Sequence, residues 1–160
     1  MATLQTPGRT FLAAALAARP IHLAWGEGLP AWDATPQNEP DNATALVAEL
    51  GRRAAQTVGF VVLDPAGDIE MQSGRYKLST TPTPFVYVKF VFDFADAAGK
   101  TIRELGIVVG STIKSTVPST KKYYLPAEVD QPGSLYALDR VKAFARADTV
   151  RQVFEYVMPF

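Results

Sequence analysis

The segment Phe85-Val86-Tyr87-Val88-Lys89-Phe90-Val91-Phe92-Asp93-Phe94 decides the fold class of this 160-residue chain. Val86, Val88, Phe90, Phe92 and Phe94 alternate along it as one unbroken apolar face, while Lys89 and Asp93 lie on the other. A period of two marks a strand with one face in a core, because successive side chains point to opposite sides of a sheet. Asp96 to Gly99 then reads as a turn, and Thr101 to Val109 as a return strand that makes a hairpin with the first.

Upstream, Gly59 to Leu63 is a buried apolar run closed by the turn Asp64-Pro65-Ala66-Gly67-Asp68, and Arg75 to Ser79 is a short strand. Downstream, Gly110 to Ser119 reads as a polar linker, followed by strands at Lys121 to Leu125, Val141 to Phe144 and Val150 to Met158. Thr6-Pro7-Gly8 opens a helix over Pro7 to Ala18, since proline is pre-set for a first turn, and Pro20 stops it. Phe11, Leu12, Ala15 and Leu16 share one side of that helix and form its expected docking face. Ile21 to Trp25 is a short strand, and Asn42 or Thr44 caps a second short helix from Thr44 to Leu50, ended by Gly51. The order predicts an α+β domain spanning 1–160, with an N-terminal helix and a short second helix packed on a mostly antiparallel β-sheet or sandwich.

Composition narrows the chemistry. Apolar residues make up 48% of the chain, enough to build a core, and 16 Lys plus Arg balance 16 Asp plus Glu. A formal net charge of zero removes the field that a nucleic-acid or anionic-membrane binder would show, so neither partner is expected. It also gives little colloidal protection, which suits a chain covered by neighbours in an assembly. With no Cys and one His, thiolate metal sites, disulfides, Cys nucleophiles and multi-histidine sites are excluded, and no metal or cofactor is expected. The apolar run Phe11 to Ala18 is too short to span a bilayer.

The remaining candidates are few. His22 lacks partners for catalysis and reads as structural. Glu27 and Asp33 flank a Gly-rich turn between Trp25 and Trp32, a spacing shared with glycosidase clefts, but loops of this composition use carboxylates mainly as turn groups. Lys121-Lys122-Tyr123-Tyr124 reads as a protected edge strand, and Arg52-Arg53 as a complement to a helix dipole. Residues 26–42 carry Pro30, Pro36, Pro40 and Trp32, the makings of a long ordered loop. That loop is the expected protein contact surface, with Trp32 as anchor, Pro30 and Pro36 beside it and the tail at Phe160 as a further contact. A carbohydrate-binding module stacking sugars on Trp25, Trp32 and Tyr123 is the alternative, and a hydrolase using Glu27 and Asp33 ranks last.

Thr6-Pro7-Gly8-Arg9-Thr10-Phe11-Leu12-Ala13-Ala14-Ala15, followed by Ile21-His22-Leu23-Ala24-Trp25-Gly26-Glu27-Gly28, resembles the N-terminal module of tailed-bacteriophage tail-collar fibre-type and baseplate proteins. Leu46-Val47-Ala48-Glu49-Leu50-Gly51-Arg52-Arg53 is similar to that module's short helix and following strand, and Thr101-Ile102-Arg103-Glu104-Leu105-Gly106-Ile107-Val108 to its closing strand. The similarity covers residues 6 to 109. It implies a structural virion protein with no catalytic residues and no cofactor, made in the host bacterial cytoplasm and assembling with copies of itself and other tail proteins. Because no β-shaft or receptor-binding tip follows up to Phe160, a baseplate or fibre-attachment subunit is expected rather than a host-recognition protein.

Overall fold

Pro7 stands in the first turn of helix α1 (Thr6–Ala17), where its missing N–H costs nothing, and Pro20 follows the helix end. The computed structural model describes residues 2–160. The chain continues as β1 (Ile21–Gly26), β2 (Glu49–Ala54), β3 (Thr57–Leu63), β4 (Ile69–Met71), β5 (Gly74–Ser79) and β6 (Phe85–Phe92). It ends with β7 (Thr101–Val109), β8 (Thr112–Ile113), β9 (Tyr123–Tyr124), β10 (Val129–Gln131), β11 (Ser134–Ala145) and β12 (Gln152–Pro159). Short 3-10 turns occupy Pro30–Asp33 and Pro126–Glu128. Among the described residues the expectation of helix plus mostly antiparallel sheet holds with one α-helix and not the two expected.

The chain forms two compact units. One holds α1, Ala55–Phe90 and Phe154–Phe160; the other holds Pro20–Ala54 and Val91–Val153. In the first, a five-stranded sheet has the order β12-β6-β3-β5-β4. Val86, Val88 and Phe90 are fully buried on one face of β6, and Tyr87 on the other packs with Val61 and Tyr76. The Tyr87 hydroxyl donates to Glu155 Oε1 at 2.7 Å, which satisfies a buried phenol. Ala13 is the buried residue of α1, so the helix turns a small-residue face inward. The expected docking face is thus corrected: Phe11 is 70% and Leu12 45% exposed.

In the second unit a five-stranded sheet has the order β11-β7-β1-β2-β9, beside a two-stranded β10-β8 ribbon. The expected hairpin between the two long strands is not formed, because β6 and β7 belong to different sheets. β7 is apolar on both faces, with Ile102, Leu105, Ile107 and Val108 all buried, and it sits between β1 and β11. The segment after β6 is pinned instead by Arg146, which is 2% exposed and donates to the Asp93, Ala147 and Val150 carbonyls. Phe92 lies against Trp25, ring centroids 3.5 Å apart and nearly parallel, whereas Phe94 stands past the strand end and is 44% exposed.

The second helix is likewise absent. Residues 44–48 are irregular and run into β2, with Gly51 inside that strand. A two-turn helix is marginal alone, and Leu46 gains more by docking with Ala24 and Val108. Gly106 makes this possible, since a Cβ there would stand 2.5 Å from Leu46 Cδ1. Without a helix the arginines do other work: Arg52 makes a two-bond pair with Glu49 at 2.8 Å, and Arg53 bonds Asp96 Oδ2 at 2.8 Å. β9 is an edge strand, as the Lys-Lys-Tyr-Tyr reading expected.

Candidate functional site

Directly opposed residues of neighbouring strands share a face, so the register builds one side of the second unit's sheet residue by residue. Gly26 opposes Glu104, Ala24 opposes Gly106 and His22 opposes Val108; on β11, Arg140 opposes Glu104 and Leu138 opposes Gly106. The segment between β1 and β2 is strapped to the sheet by polar fasteners. Glu104, fully buried, accepts the Val47 N–H at 2.8 Å through Oε2, and its Oε1 lies 3.7 Å from Arg140 Nε. Arg140 reaches the loop at three further points: its guanidinium donates to the Asn38 carbonyl, its backbone N–H donates to Glu39, and its charge stands 4.3 Å over the Trp32 ring.

Arg103 is the second fastener. Its Nε and Nη2 meet Asp33 Oδ1 and Oδ2 at 2.8 and 2.7 Å, and Nη1 donates to the Glu27 carbonyl. These bonds hold the Asp33 carboxyl below its usual pKa, and the Arg140 N–H does the same for Glu39. Both Asp33 carboxylate oxygens are engaged by Arg103, so Asp33 serves as an anchor of the loop. Glu27 contributes backbone groups to the same joint, its N–H donating to the Ala48 carbonyl.

Between loop and strand lies a hollow of about 590 Å³, walled by Trp32, Asp33 and Pro36 on one side and by residues 140–143 of β11 on the other. Of the expected contact residues, the structure thus brings Trp32 and Pro36 together. Pro30 opens the neighbouring 3-10 turn, and Phe160 belongs to the first unit, where its carbonyl accepts from Arg9 at 2.8 Å. The sugar-stacking trio is not one platform. Trp25 is fully buried against Phe92, and Tyr123 packs edge-on to Phe92 with its hydroxyl beside Gly51.

His22 is 5% exposed, hydrogen-bonded through Nδ1 to Ser111 Oγ at 2.8 Å, with Tyr124 edge-on to its ring. Burial, and secondarily the Arg52 charge, lowers its pKa from 6.5 to about 4, so it is a neutral core residue at pH 7. Sequence reasoning missed Arg103, Glu104 and Arg140 as the residues that shape the loop. Two adjacent charges inside the otherwise apolar Ile102 to Val109 run were the available signal, since buried charges require partners.

Fold and site together define a β-rich protein in which Arg103 and Arg140 hold the segment between β1 and β2 against the sheet. Residues 1–160, the whole chain, match the model of a family described as baseplate wedge 3 tail fiber network component. The chain belongs to that family, and with it to the structural proteins of phage baseplates and tail fibres. No curated protein matches it.

Proposed function

We propose that this chain is a baseplate or fibre-attachment subunit of the virion tail, working as one structural module through protein–protein interfaces and carrying out no catalysis. The loop from Gly26 to Asn42 is its contact surface towards other tail proteins, with Trp32, Pro30 and Pro36 as contact residues; Phe160 and further copies of the chain supply additional contacts. The observation that carries this reading is the fastening of a proline-rich loop by Arg103 and Arg140, which leaves Trp32 half-buried beside a hollow. A loop already held in one shape loses little entropy on docking, and interface hot spots are enriched in Trp.

The test compares two tryptophans. Trp32→Ala leaves the subunit folded and weakens its association with the tail by about 2 kcal/mol or more. Trp25→Ala removes a fully buried ring and destabilises the subunit itself by about 3 to 5 kcal/mol. Thermal melts beside a reconstitution assay read both effects. If Trp32→Ala assembles like the wild type, the loop is not the contact surface.

A further inference from the structure

Helix α1 is apolar on two sides and turns one of them outwards. Ala13 marks its inward side, and Phe11 and Ala15, which lie nearly opposite Ala13 around the helix, are exposed together with Leu12. Phe11, at 70%, is the most exposed large apolar side chain among the described residues. Leu4, 48% exposed, joins the same side by folding back on the first turn, where a Cβ on Gly8 would stand 2.9 Å from Leu4 Cδ1. Leu4, Gly8, Phe11 and Ala15 follow one another at i, i+4, i+7 and i+11, the repeat of a seam between two packed helices. The ridge exposes on the order of 300 Å² of apolar surface, the scale at which such patches mark interaction sites.

Charge and area together select the occupant. The first acidic residue of the chain is Glu27, so the helix and its flanks carry Arg9 and Arg19 with no carboxylate between them. Arg9 donates to the Phe160 carbonyl, and Arg19, exposed, meets no carboxylate among the described residues. Glu70 and Glu155 of the same unit are already paired with Arg75 and Lys89. A second copy of α1 is a poor match. A parallel pair would set each arginine against its own counterpart, and an antiparallel pair centred on the apolar run Phe11 to Ala18 would set Arg9 within one residue of the copy's Arg19. The ridge also falls well short of the roughly 800 Å² per partner that a stable dimer buries. Its area suits one helix laid along another, and its charge suits a helix with acidic residues beside its apolar seam.

We infer that α1 packs lengthwise against an amphipathic helix of a neighbouring tail protein, whose apolar seam covers Leu4, Phe11, Leu12 and Ala15 and whose flanking carboxylates meet Arg19 and Arg9. Phe11, the aromatic residue in the middle of the ridge, is the anchor. The pairing rests on the reading of the chain as a tail subunit that works through protein–protein interfaces. α1 belongs to the first unit and the loop from Gly26 to Asn42 to the second, so the two surfaces can be tested apart.

The probe is a displayed library of single amphipathic helices, randomised along the seam and at the positions flanking it, selected on the whole purified chain with Phe11→Asp and Arg19→Glu in parallel. Both side chains are exposed, so both variants keep the fold, which a thermal melt verifies. The wild type is expected to enrich helices with aliphatic or aromatic residues along the seam and Asp or Glu beside it. Arg19→Glu is expected to turn a flanking position to Lys or Arg and to bind the original helices at least tenfold more weakly; Phe11→Asp is expected to lose them. No enrichment, enrichment without acidic flanks, or selected helices that bind Phe11→Asp as well as wild type overturns the inference. So does a dimer in sedimentation that Phe11→Asp disperses, which puts a second copy on the ridge, and so does capture by anionic phospholipid vesicles that Phe11→Asp abolishes with no helix selected. Reconstitution into the tail separates this from the loop reading. Phe11→Asp assembling normally while Trp32→Ala fails overturns the helix inference alone; the reverse overturns the loop as contact surface and supports the helix; both assembling normally overturns both.

Discussion

Replacing Arg140 by Met removes the cation from beside a fully buried carboxylate. Glu104 has two contacts that offset its burial: the Val47 N–H at 2.8 Å on Oε2, and Arg140 Nε at 3.7 Å from Oε1. Breaking a buried pair by deleting one partner costs about 3 to 5 kcal/mol, because the remaining charge stays out of water. The separation of 3.7 Å is longer than a hydrogen bond, which places the expected loss at the lower end, about 3 kcal/mol. The double variant Glu104→Gln/Arg140→Met keeps an acceptor for Val47 and removes the stranded charge, so it should recover most of that loss. Urea unfolding at pH 7, followed by tryptophan fluorescence, measures both, since Trp32 lies beneath Arg140 and Trp25 in the core. An Arg140→Met variant within about 1 kcal/mol of wild type, or a double variant no more stable than the single, refutes the strap as an energetic element.

His22 gives a pH dependence with a definite sign. Above pH 6.5 folded and unfolded chains both hold it neutral; from 6.5 down to about 4 the unfolded chain binds a proton that the folded chain excludes, so stability falls as pH falls. The full loss is about 3 kcal/mol, and comparing the pH–stability curves of wild type and His22→Gln isolates it from the carboxylates; identical slopes over that window contradict the assignment. Asp33→Asn weakens the two-bond link to Arg103, so hydrogen exchange across residues 27–48 should quicken while the melting temperature changes little. Phe90→Ala, at a fully buried position, should cost about 3 to 5 kcal/mol in denaturant unfolding, and an unchanged midpoint would show that this face is not core.

What was legible in the sequence follows from what is local. Period-two apolar spacing located β6, and Pro7 with Pro20 bracketed α1 to within a residue at each end. Partner choice was not legible, because β6 and β7 satisfy a hairpin pattern as well as they satisfy two separate sheets. The helix expected at Thr44 to Leu50 failed for a related reason: its apolar spacing equally serves a chain laid across Gly106, a contact made by tertiary structure alone. β2 stayed hidden because Arg52 and Arg53 look exposed until Glu49 and Asp96 are in place. At the site, Trp32 and Pro36 were found from loop composition, whereas Arg103, Glu104 and Arg140 depend on strand register.

Cryo-electron microscopy of an intact tail, at a resolution that shows side chains, tests the central claim most directly. The account predicts this chain within the baseplate or at the fibre attachment, with the loop from Gly26 to Asn42 in its fastened shape and Trp32 buried against a neighbouring subunit. A particle in which the chain is present but that loop faces solvent on every copy, or one in which the chain is missing from the assembled tail, contradicts it.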